Sequence, residues 1–196
     1  MQLWRSPLLF ALCQSTALVA SLILQIPMEP TAIAKSPYEN AYGWRYPGIY
    51  RIINYSFEYA AAINETDLGA AVASQPLQEY DDTQIWLIAY LDDSKKNVFI
   101  INKANGGYLT AIEGKKVVRG YEAAPYDKRA QWTMDFDTFD AVEGKPVVLS
   151  NRGIKGVLDL AGSRHDAGAP ILVWPKYRNV PRNQGWYLQY MKEYVA

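Results

Sequence analysis

The chain has 196 residues with 20 basic and 20 acidic side chains, and zero formal charge with no basic run argues against nucleic acid or an anionic membrane surface as its main partner. Its hydrophobic fraction of 49% marks a globular protein rather than a disordered one, and the length suits one domain. Its single cysteine excludes an internal disulfide framework, and no cluster has metal-ligand spacing.

The first 34 residues read as a secretory signal. Met1 to Arg5 is short and basic, Pro7 to Leu24 carries no charge, and Ala32-Ile33-Ala34 supplies the small residues of a cleavage site. The apolar stretch is also long enough for an uncleaved anchor, whereas Pro27 and Pro30 oppose a buried N-terminal helix. Cleavage near Lys35 would remove Arg5, Glu29 and Cys13, leaving a secreted, neutral chain with no thiol. Residues 35–46, with Tyr38, Tyr42, Trp44 and Tyr46, are expected to form an arm lying against the domain that follows.

From residue 47 onward two elements recur. The runs Arg51-Ile52-Ile53-Asn54, Phe99-Ile100-Ile101-Asn102 and Val148-Leu149-Ser150-Asn151 each end in Asn, with spacings of 48 and 49 residues. Trp86-x-Ile88-x-Tyr90, Trp132-x-Met134-x-Phe136 and Trp186-x-Leu188-x-Tyr190 follow them, 46 and 54 residues apart. Period-two alternation predicts strands, with these Trp, aliphatic and aromatic positions facing inward and Leu87, Ala89, Thr133, Asp135, Tyr187 and Gln189 facing outward or sideways. Turn residues such as Asn105-Gly106-Gly107, Glu113-Gly114, Gly144-Lys145-Pro146 and Ala167-Gly168 separate the runs, and no sustained helical period occurs. The segment Ala60–Ala73 comes nearest to one, but Asn64, Thr66 and Gly69 interrupt it. Such spacing predicts an all-β barrel or sandwich.

Three units of about 48 residues with about four strands each resemble the β-trefoil. Gln84-Ile85-Trp86 and Gln184-Gly185-Trp186, with a shifted Gln131-Trp132 between them, resemble the Gln-x-Trp signature of the ricin-type B-chain lectins. The resemblance covers about residues 47–192 and implies a trefoil domain at 47–196, with subdomains at about 47–95, 96–143 and 144–192. Each repeated Trp is then a pseudo-three-fold core position.

The copies differ in one informative way. Eight residues after the repeated Asn stand Ala62, Thr110 and Asp159, so only the third copy has a carboxylate there. Twelve residues before the repeated Trp stand Ser74, Gly120 and Trp174, with Tyr121 beside Gly120. Just before each Trp come Thr83-Gln84, Arg129-Ala130 and Asn183-Gln184. A pyranose offers a face of C–H groups to an aromatic plate and a rim of hydroxyls to polar groups. Trp174 fits the plate, Asp159 a charged acceptor for two hydroxyls, and Asn183 a donor and acceptor, with Gln184 holding Asp159 in place. The resemblance assigns these roles to the matching positions and implies galactose or N-acetylgalactosamine as ligand. The family often has Gln two residues before the plate, where this chain has Leu172. His165 and Asp166 lie in the hairpin after Asp159, His165 being expected in a solvated loop.

The expected function is therefore non-enzymatic glycan binding through Asp159, Trp174, Asn183 and Gln184, with no cofactor and no metal. The alternative is a trefoil with a vestigial site, acting on proteins through loops such as Ser74–Thr83 and Pro175–Arg182. For an enzyme only paired carboxylates remain, and Asp135, Asp137 and Asp140 read as a solvated outer face. Asn54-Tyr55-Ser56 and Asn64-Glu65-Thr66 fit the N-glycosylation pattern, Asn64 being the better acceptor because Asn54 is expected to serve an internal turn.

Overall fold

The computed structural model describes residues 47–56, 59–112, 118–121, 126–136, 138, 146–163 and 166–191. The predicted signal and arm, His165, Asp137, Asp140, Glu113-Gly114 and Gly144-Lys145 lie outside them. Twelve strands follow one another in three sets of four. The first set is β1 (Gly48–Asn54), β2 (Ala60–Ile63), β3 (Ala70–Gln75) and β4 (Ile85–Tyr90). The second is β5 (Asn97–Asn102), β6 (Tyr108–Ala111), β7 (Val118–Tyr121) and β8 (Gln131–Asp135). The third is β9 (Val148–Asn151), β10 (Val157–Leu160), β11 (Ile171–Trp174) and β12 (Trp186–Tyr190). There is no α-helix among the described residues; one 3-10 turn precedes the last strand of each set, at Asp82–Gln84, Lys128–Ala130 and Arg182–Gln184. Ala60–Ala73, the nearest approach to a helical pattern, forms β2 and part of β3 instead.

The pairing closes on itself. Strand β1 pairs antiparallel with both β12 and β4, β4 with β5, β5 with β8, and β8 with β9. Val147, just before β9, then bridges Trp186 of β12. Six strands thus form a ring, which leaves no unpaired edge to recruit another chain. The other six form the hairpins β2–β3, β6–β7 and β10–β11, which meet through β3–β7 pairs and an Ala73–Pro170 bridge. This is the β-trefoil.

The repeated Asn and Trp keep step because they are partners. Trp86 pairs with Asn102, Trp132 with Asn151, and Trp186 with Asn54, each joining one set of strands to the next. All three indoles are fully buried. Their Nε1–H groups donate to the carbonyls of Ala61 at 2.8 Å, Leu109 at 2.7 Å and Leu158 at 3.0 Å, so each buried indole donor is paired. Each Asn Nδ2 donates to the carbonyl three residues before the partner Trp, Thr83 at 2.8 Å, Arg129 at 2.7 Å and Asn183 at 3.0 Å. Each Oδ1 accepts the backbone N–H two residues on, at Ser56, Ala104 and Gly153, which turns the chain out of the strand.

Inward alternation appears as expected: Ile88, Met134 and Leu188 are buried, Tyr90, Phe136 and Tyr190 pack partly buried against the core, and the alternate positions are intermediate. Asn54 is buried with both ends of its amide engaged, so it is unavailable as a glycan acceptor, whereas Asn64 is exposed beyond the end of β2.

Candidate functional site

The hairpin β10–β11 has two faces. Leu158, Leu160, Ile171 and Val173 point into the core. Asp159 pairs with Leu172 and Val157 with Trp174, so side-chain alternation puts Asp159, Leu172 and Trp174 together on the opposite face. Residues 175–184 rise over this face and enclose an open cavity of about 480 Å³, lined by Asp159, Leu172, Trp174, Tyr177, Pro181 and Asn183 among others. Gly156 lets the hairpin close, since a Cβ there would lie 2.6 Å from Val173 and 2.8 Å from the Trp174 carbonyl.

Asp159 sits in mid-strand and caps no turn. It is 4% exposed. Its Oδ2 accepts from Gln184 Nε2 at 2.8 Å and from Asn183 Nδ2 at 3.1 Å, while Oδ1 receives no hydrogen bond from the described residues. Burial pushes the carboxyl above the ordinary aspartate value of 3.8, and the Gln184 and Asn183 bonds oppose that rise without cancelling it. The result is a clamped carboxylate with one oxygen toward the cavity. Gln184 is fully buried, is not among the residues lining the cavity, and touches Asp159 from behind through Nε2.

Asn183 departs from expectation. Its Nδ2 donates both to Asp159 and to the Leu160 carbonyl at 3.1 Å, which uses both amide hydrogens and turns Oδ1 elsewhere. It therefore has an acceptor to offer a ligand but no donor. Sequence reasoning gave it both capacities because the Leu160 contact spans 23 residues.

Trp174 is partly exposed, outside the buried core, and its Nε1 donates to Tyr177 Oη at 2.9 Å. Its counterparts in the other copies are not the residues found by counting back twelve. Ala61, Leu109 and Leu158 are equivalent through their bonds to the repeated indoles, and they pair with Ser74, Gly120 and Val173. The residue after each, Gln75, Tyr121 and Trp174, is therefore the equivalent position in the hairpin register. Gln75 and Tyr121 precede their Trp by 11 residues and Trp174 by 12, because the third copy carries one extra residue in its loop. Thus the second copy has an aromatic residue, Tyr121, in register with Trp174, but Thr110 and Arg129 in place of Asp159 and Asn183.

Tyr177 lies in the Pro175–Arg182 loop, read from the sequence only as a surface for protein contact, whereas it lines the cavity. Lys176 beside it bonds Asp135 Oδ2 at 2.7 Å in a surface ion pair, so Asp135 touches the site loop while remaining partly solvated. No group of metal-ligating side chains occurs among the described residues.

No protein-family model and no curated protein matches the sequence. Solved structures do match. A designed three-fold symmetric protein, ThreeFoil, aligns with TM-score 0.63 and 20% identity over 74% of this chain and 99% of its own. The Macrolepiota procera ricin B-like lectin in complex with lactose aligns with TM-score 0.57 and 16% identity over 76% and 98%. The C-half of an earthworm R-type lectin in complex with GalNAc gives 0.54 and 16% over 73% and 98%. Several such neighbours are named as lectins or agglutinins, and the chain also matches 30% of an exo-β-1,3-galactanase from Clostridium thermocellum. At these identities the likeness establishes the β-trefoil fold shared with ricin B-like lectins.

Proposed function

We propose that this chain is a secreted lectin that binds galactose- or GalNAc-type sugars through one site in its third subdomain. The observation that carries the reading is the clamped Asp159 carboxylate, with Oδ1 toward a cavity whose other wall is the partly exposed Trp174 indole. The apolar face of the pyranose lies on Trp174. Two neighbouring hydroxyls donate to Asp159, and Asn183 Oδ1 accepts from a third. Charge-assisted bonds of this kind are shorter and about twice as strong as neutral ones. Complexes with lactose and GalNAc among the structural neighbours support this sugar class.

Binding without turnover follows from the same geometry. Glycoside hydrolysis ordinarily takes two carboxyls, and among the described residues Asp159 is the one acid lining the cavity. A shallow single site implies Kd on the order of 0.1–1 mM, or about −4 to −5.5 kcal/mol. Tight attachment to a glycan-coated surface then requires several copies acting together, and a monomer binds cells without cross-linking them. The signal reading of residues 1–34 supports export of this activity.

A glycan array is the direct test: terminal galactosides and N-acetylgalactosaminides retain the mature protein and not Asp159→Ala. If both proteins give the same empty profile, the site is vestigial and the trefoil acts through protein contacts.

Acidification supplies a second test. The raised pKa means that the folded state holds the Asp159 proton at pH values where the unfolded chain, near 3.8, has released it. This carboxyl therefore favours folding at low pH, and its contribution is lost as pH rises through the folded value. Sugar binding takes the opposite sign, because the ionised form is the better acceptor. Galactose affinity is expected to fall on acidification, with its midpoint displaced upward from that of an unperturbed aspartate. Residual affinity of Asp159→Asn stays flat over the same titration; a sloping profile in that variant would assign the effect to another group.

A further inference from the structure

The extra residue in the third copy changes how its loop is held. In the first copy Gln84 grips its loop at two points, Nε2 donating to the Pro76 carbonyl at 2.8 Å and Oε1 accepting from the Gln78 N–H at 3.2 Å. Gln184 repeats the first contact with the Pro175 carbonyl at 3.1 Å. The second is gone: Gln184 Oε1 is buried with no hydrogen-bond partner. One added residue therefore lifts the loop off its Gln, and the part released carries Tyr177.

Released from the Gln, Tyr177 is 50% exposed, lines the cavity and accepts the Trp174 indole N–H through its hydroxyl. A phenol that accepts one bond still has its own proton to give. The ring adds a second aromatic surface at the edge of the Trp174 plate. A cavity of about 480 Å³ falls among clefts that take drug-sized ligands, larger than a single flat sugar ring requires.

Building on the sugar-site reading above, we propose that Tyr177 is a specificity-determining residue that makes the site select the end of an oligosaccharide over a free monosaccharide. The terminal sugar lies on Trp174. The next sugar reaches Tyr177, whose hydroxyl donates to one of its ring, glycosidic or hydroxyl oxygens while the phenol ring covers its apolar face. Asp159 and Asn183 Oδ1 are acceptors, so Tyr177 supplies a side-chain donor that neither of them offers.

The test compares methyl β-galactoside with lactose by calorimetry or ligand-observed NMR, in the wild type, Tyr177→Phe and Tyr177→Ala. The readout is the affinity ratio of lactose to methyl galactoside, because Tyr177 also holds the Trp174 edge and either affinity alone shifts with it. The wild type is expected to favour lactose about fivefold or more, about 1 kcal/mol. Tyr177→Phe retains part of that ratio and Tyr177→Ala brings it near one. A wild type that binds both sugars equally, or a ratio unmoved in Tyr177→Ala, overturns the inference and leaves the lectin reading intact. A wild type that binds neither of them, nor any glycan of the array, sinks both.

Discussion

Trp174→Ala is expected to lose galactoside binding altogether while folding as the wild type does. Burying a large apolar side chain is worth about 1.5–3 kcal/mol, and a well-placed aromatic face adds about 0.5–1.5 kcal/mol. Against a total of about −4 to −5.5 kcal/mol, removing the plate weakens binding by more than tenfold, past what a millimolar titration detects. The fold has little stake in this indole. Trp174 lies outside the buried core, and its Nε1 partner is the exposed Tyr177 rather than a buried carbonyl. A loss of about 1 kcal/mol, or about 2–4 °C in Tm, is the expected limit. Calorimetry with lactose and a thermal melt of the same sample check both halves. Retained affinity would place the sugar elsewhere on the trefoil.

The complementary result comes from the core. Trp132→Ala is expected to cost about 3–5 kcal/mol, the range for deleting a large buried aromatic. Trp132 is fully buried and its Nε1 donates to the Leu109 carbonyl at 2.7 Å, so the truncation opens a cavity and orphans that acceptor as well. Its backbone pairs with Asn151, which joins the second set of strands to the third. The midpoint should fall by roughly 6–20 °C on the scale of 2–4 °C per kcal/mol. Thermal denaturation followed by tryptophan fluorescence measures it, with Trp174→Ala as the control. Equal destabilisation of the two variants would refute the division between a structural set of indoles and a functional one.

That division was legible before any coordinates. The repeated Trp and Asn are cross-strand partners, and each copy needs an indole donor, a backbone acceptor and an Asn turn to close its third of the barrel. Because local alternation and the repeat period constrain these positions alike, the strands and the inward-facing set could be read from residue types and spacings alone. Asp159, Trp174 and Asn183 stood out for the same reason, as departures from a pattern their counterparts keep, while Gln184 shares the Gln-x-Trp signature with Gln84.

Spacing could not supply what depends on pairing. Counting twelve back matched Trp174 with Gly120 and Ser74, while the hairpin register matches it with Tyr121 and Gln75. A count includes loop residues, and one inserted there shifts it without moving the strands. Asn183 looked able to donate to a ligand until Leu160 and Asp159 took both its hydrogens. Tyr177 looked like surface until the loop, released from Gln184, put it in the cavity. The amino-acid order determined the three-fold barrel and which copy departs from it, because those follow from periodicity. Which oxygen faces the cavity, which donor is spent and which aromatic reaches the rim were decided only by tertiary structure, because hydrogen-bond capacity is shared among groups that folding alone brings together.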